Sequence, residues 1–419
     1  FTKILSATFL NNKKIPYPKD WLSALELLRL QIEAFPSHQK VIIFLDELPW
    51  MASQKSNFLP MLDNLWNRYL SRMPNVILAV CGSAASWMID NIVSNTGGLY
   101  GRLTRKIHLQ PFTLAETKQF LLSKKIDLDH KQIIELYMAM GGVPKYLSQI
   151  DPGRSSTQII NELFFTPHGY LFDEFNKLYS SLFNNYEKHI KIVKILAKTQ
   201  SGLTREELLK KLGLESGGSL SKILGELEES GFIMRVDRYA STKSLKSLSQ
   251  FRLIDQYSLF YLKWVESSGK ILNSLGLDNY WIQQVNTNAW KIWGGYAFEN
   301  ICLMHLGQIQ KALGLAGIRL SAHTWYYRGD NAESGAQIDL VLDRADHCIN
   351  LCEIKYYNQV FEVTKKYGLA LNAKKEIFRE KTNSKKSLLT TLITTYGVLD
   401  NIHAQEYLQS AITMDALFD

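Results

Sequence analysis

Residues 41 to 51 read VIIFLDELPWM. Five apolar residues lead straight into two adjacent carboxylates and then a Pro-Trp turn. No other stretch constrains the fold as much. A strand that is apolar on both faces belongs inside a parallel sheet covered by helices on either side. Acids at its carboxyl end stand where such sheets hold their ligands. Two explanations fit the pair. One is a core strand that turns polar where it meets solvent. The other is a Walker B arrangement, with Asp46 holding magnesium and Glu47 aligning the attacking water on a nucleoside triphosphate.

The flanking pattern supports a parallel α/β core. Residues 21 to 36 and the run FLPMLDNLWNRYL have the apolar spacing of helices, and NVILAVCGS (75 to 83) reads as a second strand. Two apolar strands joined through a helix predict a crossover within one parallel sheet. LTRKIHLQPF (103 to 112) predicts a further short strand, and residues 113 to 182 a helical stretch broken by GGVP at 141 to 144. Ser83 falls at the tip of the second strand, where a hydroxyl could sense a γ-phosphate. Arg102 and Arg105 can supply positive charge to a phosphate, in their own subunit or, in a homo-oligomer, in a neighbour's.

A nucleotide site also needs a phosphate cradle, and no G-x-x-x-x-G-K-[ST] occurs in the chain. FLDELPWM, CGSAASWM, GGLYGRLT with LQPFTLAET, and GGVPKYL together resemble the archaeal-type ATPases, a prokaryotic group related to AAA+ proteins within the STAND branch. The resemblance implies a P-loop shortly before the part present here, then a winged helix, then a domain similar to restriction endonucleases. It implies Asp46 as the Walker B magnesium residue, Glu47 as the catalytic glutamate and Ser83 as the sensor. The missing cradle is the departure from that pattern. The chain opens FTKIL rather than with Met, so truncation is the simplest cause.

Residues 188 to 239 carry three helical runs and then the strand FIMRVDRY. The second helix starts at Thr204 with Glu207 three residues on, a capping box. This rhythm suggests a winged helix-turn-helix. Its third helix offers only Lys222 against Glu226, Glu228 and Glu229, which suits packing or regulation better than a DNA groove. Arg235, Arg238, Lys243 and Lys246 near the wing leave a backbone contact open, and the serine-rich segment 241 to 249 reads as the wing or its loop.

The last block predicts a helix around 290 to 313 and strands at 337 to 342 and 348 to 354. It contains AQIDLVLDR followed by INLCEIKYYN. Glu353 and Lys355 fall on one face of a strand because side chains alternate. If the two strands pair, Asp339 comes close to Glu353, and two carboxylates can share a divalent ion while Lys355 holds a water or developing charge. Salt-bridged strand residues explain the same spacing. The order is the D…ExK signature of the PD-(D/E)xK nuclease superfamily. Glu299, in GGYAFEN, is similar to the first acid of those folds. Lys365, Lys366, Lys374, Lys375, Arg379, Lys381, Lys385 and Lys386 form a basic stretch suited to a phosphate backbone, or a solvated helix face.

The formal charge of +8 and a pI of about 9.0 are compatible with nucleic acid without requiring it. Four cysteines do not make a disulfide framework. His347, Cys348 and Cys352 lack the second ligand pair of a zinc knuckle, so the thiols read as buried and reduced. No apolar run reaches membrane-spanning length. No H-E-x-x-H or G-x-S-x-G motif is present. Trp281, Trp290 and Trp293 read as packing. The expected architecture is α/β and multidomain: a P-loop NTPase-type core lacking Walker A over 1–112, a helical lid over 113–184, a winged helix over 185–265 and a nuclease-like α/β domain over 286–419. The expected function is a cytoplasmic ATP- and Mg2+-dependent switch coupled to a domain that cuts or binds DNA. The other reading is a signalling ATPase whose nuclease-like domain only binds a partner.

Overall fold

The computed structural model describes residues 1–53, 55–83, 85–94, 101–166, 168–214, 217–240, 249–268, 280–329 and 335–419. The chain is α/β and falls into two compact units, Phe1–His108 and Leu109–Asp419. Among the described residues no helix is long and apolar enough to cross a membrane.

In the first unit, strands β1 (Val41–Leu45) and β2 (Val76–Val80) pair in parallel, with Val41 opposite Val76 and Leu45 opposite Val80. The helix Phe58–Arg68 connects them. Asp20 starts the helix Trp21–Glu33 by accepting from the Ser23 amide at 2.8 Å. Leu25, Ile32, Val41, Leu48, Phe58, Leu62 and Val76 close the core on one side of the pair. The other side is bare: Ile42 is 67% exposed and Phe44 61%. The strand is apolar on both faces, yet these residues cover only one of them. The strand expected at 103–112 does not form. Residues 103–111 are exposed and unpaired, and local alternation cannot make a strand without a neighbour to accept its backbone hydrogen bonds.

The second unit opens with the helices Leu114–Ser123, His130–Met140, Ser156–Phe165 and Glu174–Leu182. The GGVP break ends the second of these, where Gly141 takes a φ of 65°. Gly142 has a separate reason to be glycine: a Cβ there would lie 1.9 Å from the Phe112 carbonyl oxygen. That close approach lets Phe112 N–H donate to the Gly142 carbonyl at 2.8 Å. Gly142→Ala is therefore expected to cost about 1–3 kcal/mol through backbone displacement. Urea unfolding monitored by circular dichroism would show it as a lower midpoint with unchanged slope.

Three further helices follow, Tyr186–Leu196, Arg205–Leu212 and Gly218–Glu229. The expected capping box is present: the Thr204 hydroxyl accepts from Glu207 N–H at 3.2 Å, and the Glu207 carboxylate from Thr204 N–H at 2.8 Å. β3 (Leu203–Thr204), β4 (Ile233–Asp237) and β5 (Ser249–Leu253) then form an antiparallel sheet in the order β3-β5-β4. Lys243, Lys246 and the rest of 241–248 lie outside the described residues.

The helix expected around 290 to 313 is two, Asn288–Met304 and Leu306–Ala312, broken at His305. His305 donates from Nδ1 to the Ile301 carbonyl at 2.8 Å and accepts at Nε2 from Leu114 N–H at 3.1 Å. Burial lowers its pKa, as a neutral ring in both bonds requires. A sheet of order β10-β9-β8-β7-β6 completes the unit, made of β6 (Leu320–Tyr327), β7 (Ala336–Arg344), β8 (Cys348–Lys355), β9 (Ser387–Thr394) and β10 (Ser410–Thr413). β6, β7 and β8 are antiparallel neighbours, whereas β8, β9 and β10 run parallel. The helix Lys365–Thr382 makes the β8-to-β9 crossover. One apolar cluster runs from Leu114 to Leu417, so helices and both sheets of this unit share a core.

Candidate functional site

The first constellation lies where β1 and β2 end. Cys81 N–H donates to the Leu45 carbonyl at 3.0 Å and Leu48 N–H to the Cys81 carbonyl at 2.8 Å, which locks the two exits together. Glu47 sits in the left-handed region (φ 50°), an uncommon place for a non-glycine residue, and starts the short helix Leu48–Met51. Its carboxylate accepts from the Ser83 amide at 3.2 Å and the Ser83 hydroxyl at 3.1 Å. The Asp46 carboxylate accepts the Cys81 thiol hydrogen at 2.8 Å. Burial, then this bond, raises the Cys81 pKa, so the thiol keeps its proton. Asp46, Glu47 and Ser83 are thus brought together, with Cys81 as a partner that the motif did not announce. Arg102 and Arg105 are not: both are exposed and enter no ion pair among the described residues.

The second constellation is in the five-stranded sheet. Leu340 stands opposite Cys352, which carries Asp339 to the position beside Glu353. The Asp339 carboxylate accepts from Ile354 N–H at 2.9 Å. Lys355 Nζ lies 3.3 Å from a Glu353 oxygen and 3.9 Å from an Asp339 oxygen, so one cation serves both acids. Glu353 is 3% exposed, and its second oxygen takes Lys374 at 2.7 Å. Glu299, on the helix Asn288–Met304, is held by Arg252 at 3.2 Å. Burial first, then the charge of Asp339, pushes Glu299 up to about 7 against the pull of Arg252. Burial and Asp339 raise Glu353 as well, opposed by Lys355 and Lys374. Burial works to lower Lys355, but Glu353 and Asp339 outweigh it and hold the amine above its ordinary range.

Three members of this cluster were not singled out by sequence as site residues. Arg252 and Lys374 arrive from distant elements. Tyr367 is pushed up to about 12 by burial, against the field of Lys355 beside it. A Lys or Tyr on a helix that packs over an E-x-K strand is the only sequence signal that could have found Lys374 and Tyr367.

The basic stretch divides. Lys374 and Lys386 are absorbed by Glu353 and Asp343, whereas Lys365, Lys366 and Lys385 stay exposed outside any ion pair among the described residues. Near the wing, Arg235 pairs with Glu228 at 3.1 Å, and Arg238 stacks 3.7 Å from the Tyr326 ring centroid. All four cysteines are free, but only Cys302 and Cys352 are buried. Cys81 and Cys348 are partly exposed because they flank strand ends, which corrects the expectation of four buried thiols. Trp281, Trp290 and Trp293 are buried together.

The donor chemistry of Glu299, Asp339 and Glu353 is oxygen only, which suits a hard divalent ion. Glu299 and Asp339 each keep an oxygen without a donor among the described residues, and a dication would relieve the repulsion that raises Glu299. Among the described residues no three acidic, His or Cys side chains close round one point. The fold and these two clusters define an α/β multidomain protein with one acidic cluster at the carboxyl ends of β1 and β2 and another where β7 and β8 pair beneath the helix Asn288–Met304. No family model matches the chain. An uncharacterised protein of Methanocaldococcus jannaschii is 23% identical over 317 residues, covering 75% of this chain and 67% of its own. A Walker-type ATPase of Pyrococcus abyssi aligns with 62% of this chain and 74% of its own, at a TM-score of 0.41 and 14% identity. At these levels neither relative assigns an activity.

Proposed function

We propose that the protein is an ATP-dependent switch whose residues 286–419 form a nuclease-like domain that cleaves DNA with a divalent metal. The observation that carries the reading is Lys355, placed 3.3 and 3.9 Å from Glu353 and Asp339 at neighbouring strand ends. Magnesium, when bound there, would lower the pKa of a water and polarise a phosphodiester. Asp339, Glu353 and Glu299 would hold it. Lys355 stays protonated and supplies positive charge where the phosphate gains negative charge. The exposed Lys365, Lys366 and Lys385 suit the DNA backbone.

In residues 1–112 the proposed roles are Asp46 for magnesium, Glu47 for the water and Ser83 for the γ-phosphate, with Arg102 and Arg105 as phosphate contacts. Their support is the bonding of Glu47 to Ser83. The phosphate loop has to be supplied from outside these residues, and the uncovered Ile42 and Phe44 face is consistent with an incomplete core. We read 113–184 as the helical lid and 185–265 as a winged helix used for packing. Tyr239 N–H donates to the Thr324 carbonyl at 2.9 Å, so the chain leaving β4 is spent on β6 rather than left free for a groove.

A second reading, a switch that binds a partner without cutting, draws on the internal cations that engage Glu353 and Glu299. Labelled single- and double-stranded DNA incubated with Mg2+ or Mn2+, with and without ATP, separates the two. Cuts that disappear in Asp339→Asn are expected. DNA that stays bound and whole under every condition would leave the second reading.

A further inference from the structure

Arg252 is a charged residue in a place that charges avoid. It lies in β5, flanked by β3 and β4, and is 3% exposed. Its guanidinium reaches 47 positions along the chain to Glu299 at 3.2 Å and lies 4.9 Å from the Tyr296 ring centroid. The next residue in each element makes the same junction, with Asn300 Nδ2 donating to the Leu253 carbonyl at 3.1 Å. The helix that carries Glu299 is thus clamped to β5 at two successive positions. Arg252 Nε has no acceptor among the described residues, so the guanidinium is only partly satisfied. A buried arginine without full pairing is costly, and it needs a reason other than stability.

We infer that Arg252 is a positioning residue that occupies Glu299 as an internal cation and thereby sets how readily the Asp339–Glu353–Glu299 cluster accepts a divalent ion. The inference rests on reading that cluster as a divalent site. Two effects act in the same direction. The guanidinium takes one Glu299 oxygen, and its charge repels a dication brought beside it. Withdrawal of the guanidinium from Glu299 would return that oxygen to the ion and remove the nearby positive charge.

The test is manganese binding by the full chain, followed by loss of the free-ion electron paramagnetic resonance signal. Asp339→Asn sets the baseline for binding elsewhere. Arg252→Met is expected to bind manganese at the Asp339-dependent site about tenfold more tightly than wild type. Arg252→Lys, which keeps the charge, is expected to stay within about threefold of wild type. If Arg252→Met does not fold, Arg252→Gln drops the charge while keeping polar atoms and reads the same quantity. Asp339-dependent binding of equal or lower strength in the neutral variant would overturn the latch alone. No Asp339-dependent binding in wild type or any Arg252 variant would overturn the divalent reading of the cluster and the latch with it.

Discussion

Lys355→Ala is expected to lower metal-dependent DNA cleavage by a factor on the order of 10² to 10⁴ while leaving manganese binding intact or tighter. The argument starts from charge. Lys355 stands between two carboxylates that would otherwise repel, and their fields keep it protonated despite its burial. An amine held in that state is a poor base at neutral pH. Its use is as a fixed positive charge, and fixed charges in a partly dry site act most strongly where new charge develops in the transition state. Loss of the amine should therefore fall on turnover rather than on metal affinity. Lys355→Arg keeps the charge but replaces a compact ammonium by a planar fork, so it is expected to recover little. Single-turnover rates at saturating metal would separate the two effects. Wild-type cleavage by Lys355→Ala would sink the assignment of this cluster as a nuclease centre.

What could be read in advance follows the range over which each interaction acts. The proximity of Glu353 and Lys355 is fixed by strand periodicity, and β7–β8 pairing carries Asp339 to them. β1 and β2 were legible because five consecutive apolar residues admit few alternatives. The 103–112 segment has only a broken alternation and no such apolar run, and it failed because pairing is not a local property. Arg252, and the pairing of Lys374 with Glu353, were invisible for the same reason. One comes from a strand 47 residues before its partner, the other from a crossover helix 21 residues beyond it, and nothing in spacing ties either to Glu299 or Glu353. His305 shows the limit from the helical side: the apolar period continues through it, and the bond its ring accepts from the Leu114 amide, 191 residues away, is announced by no local pattern.

The same range argument governs the largest stability effect. Trp281 has no exposed surface, stacks on Phe165 at 5.3 Å, and meets Phe260 and Trp290 edge-on at 5.0 Å. These partners come from the helix Ser156–Phe165, the segment after β5 and the helix Asn288–Met304, so one side chain joins three parts of the second unit. Trp281→Ala removes that contact area and opens a cavity that rigid aromatic neighbours cannot fill, an expected loss of about 3–5 kcal/mol. Trp281→Phe is expected to cost far less, because the indole N–H is buried with no acceptor among the described residues and its removal forfeits no hydrogen bond there. Differential scanning calorimetry reads both. Since Leu114 to Leu417 form one cluster, Trp281→Ala should lower a single transition for residues 109–419 by on the order of 10 °C. A split of that transition, with only one part displaced, would show that the helices and the five-stranded sheet melt as separate bodies.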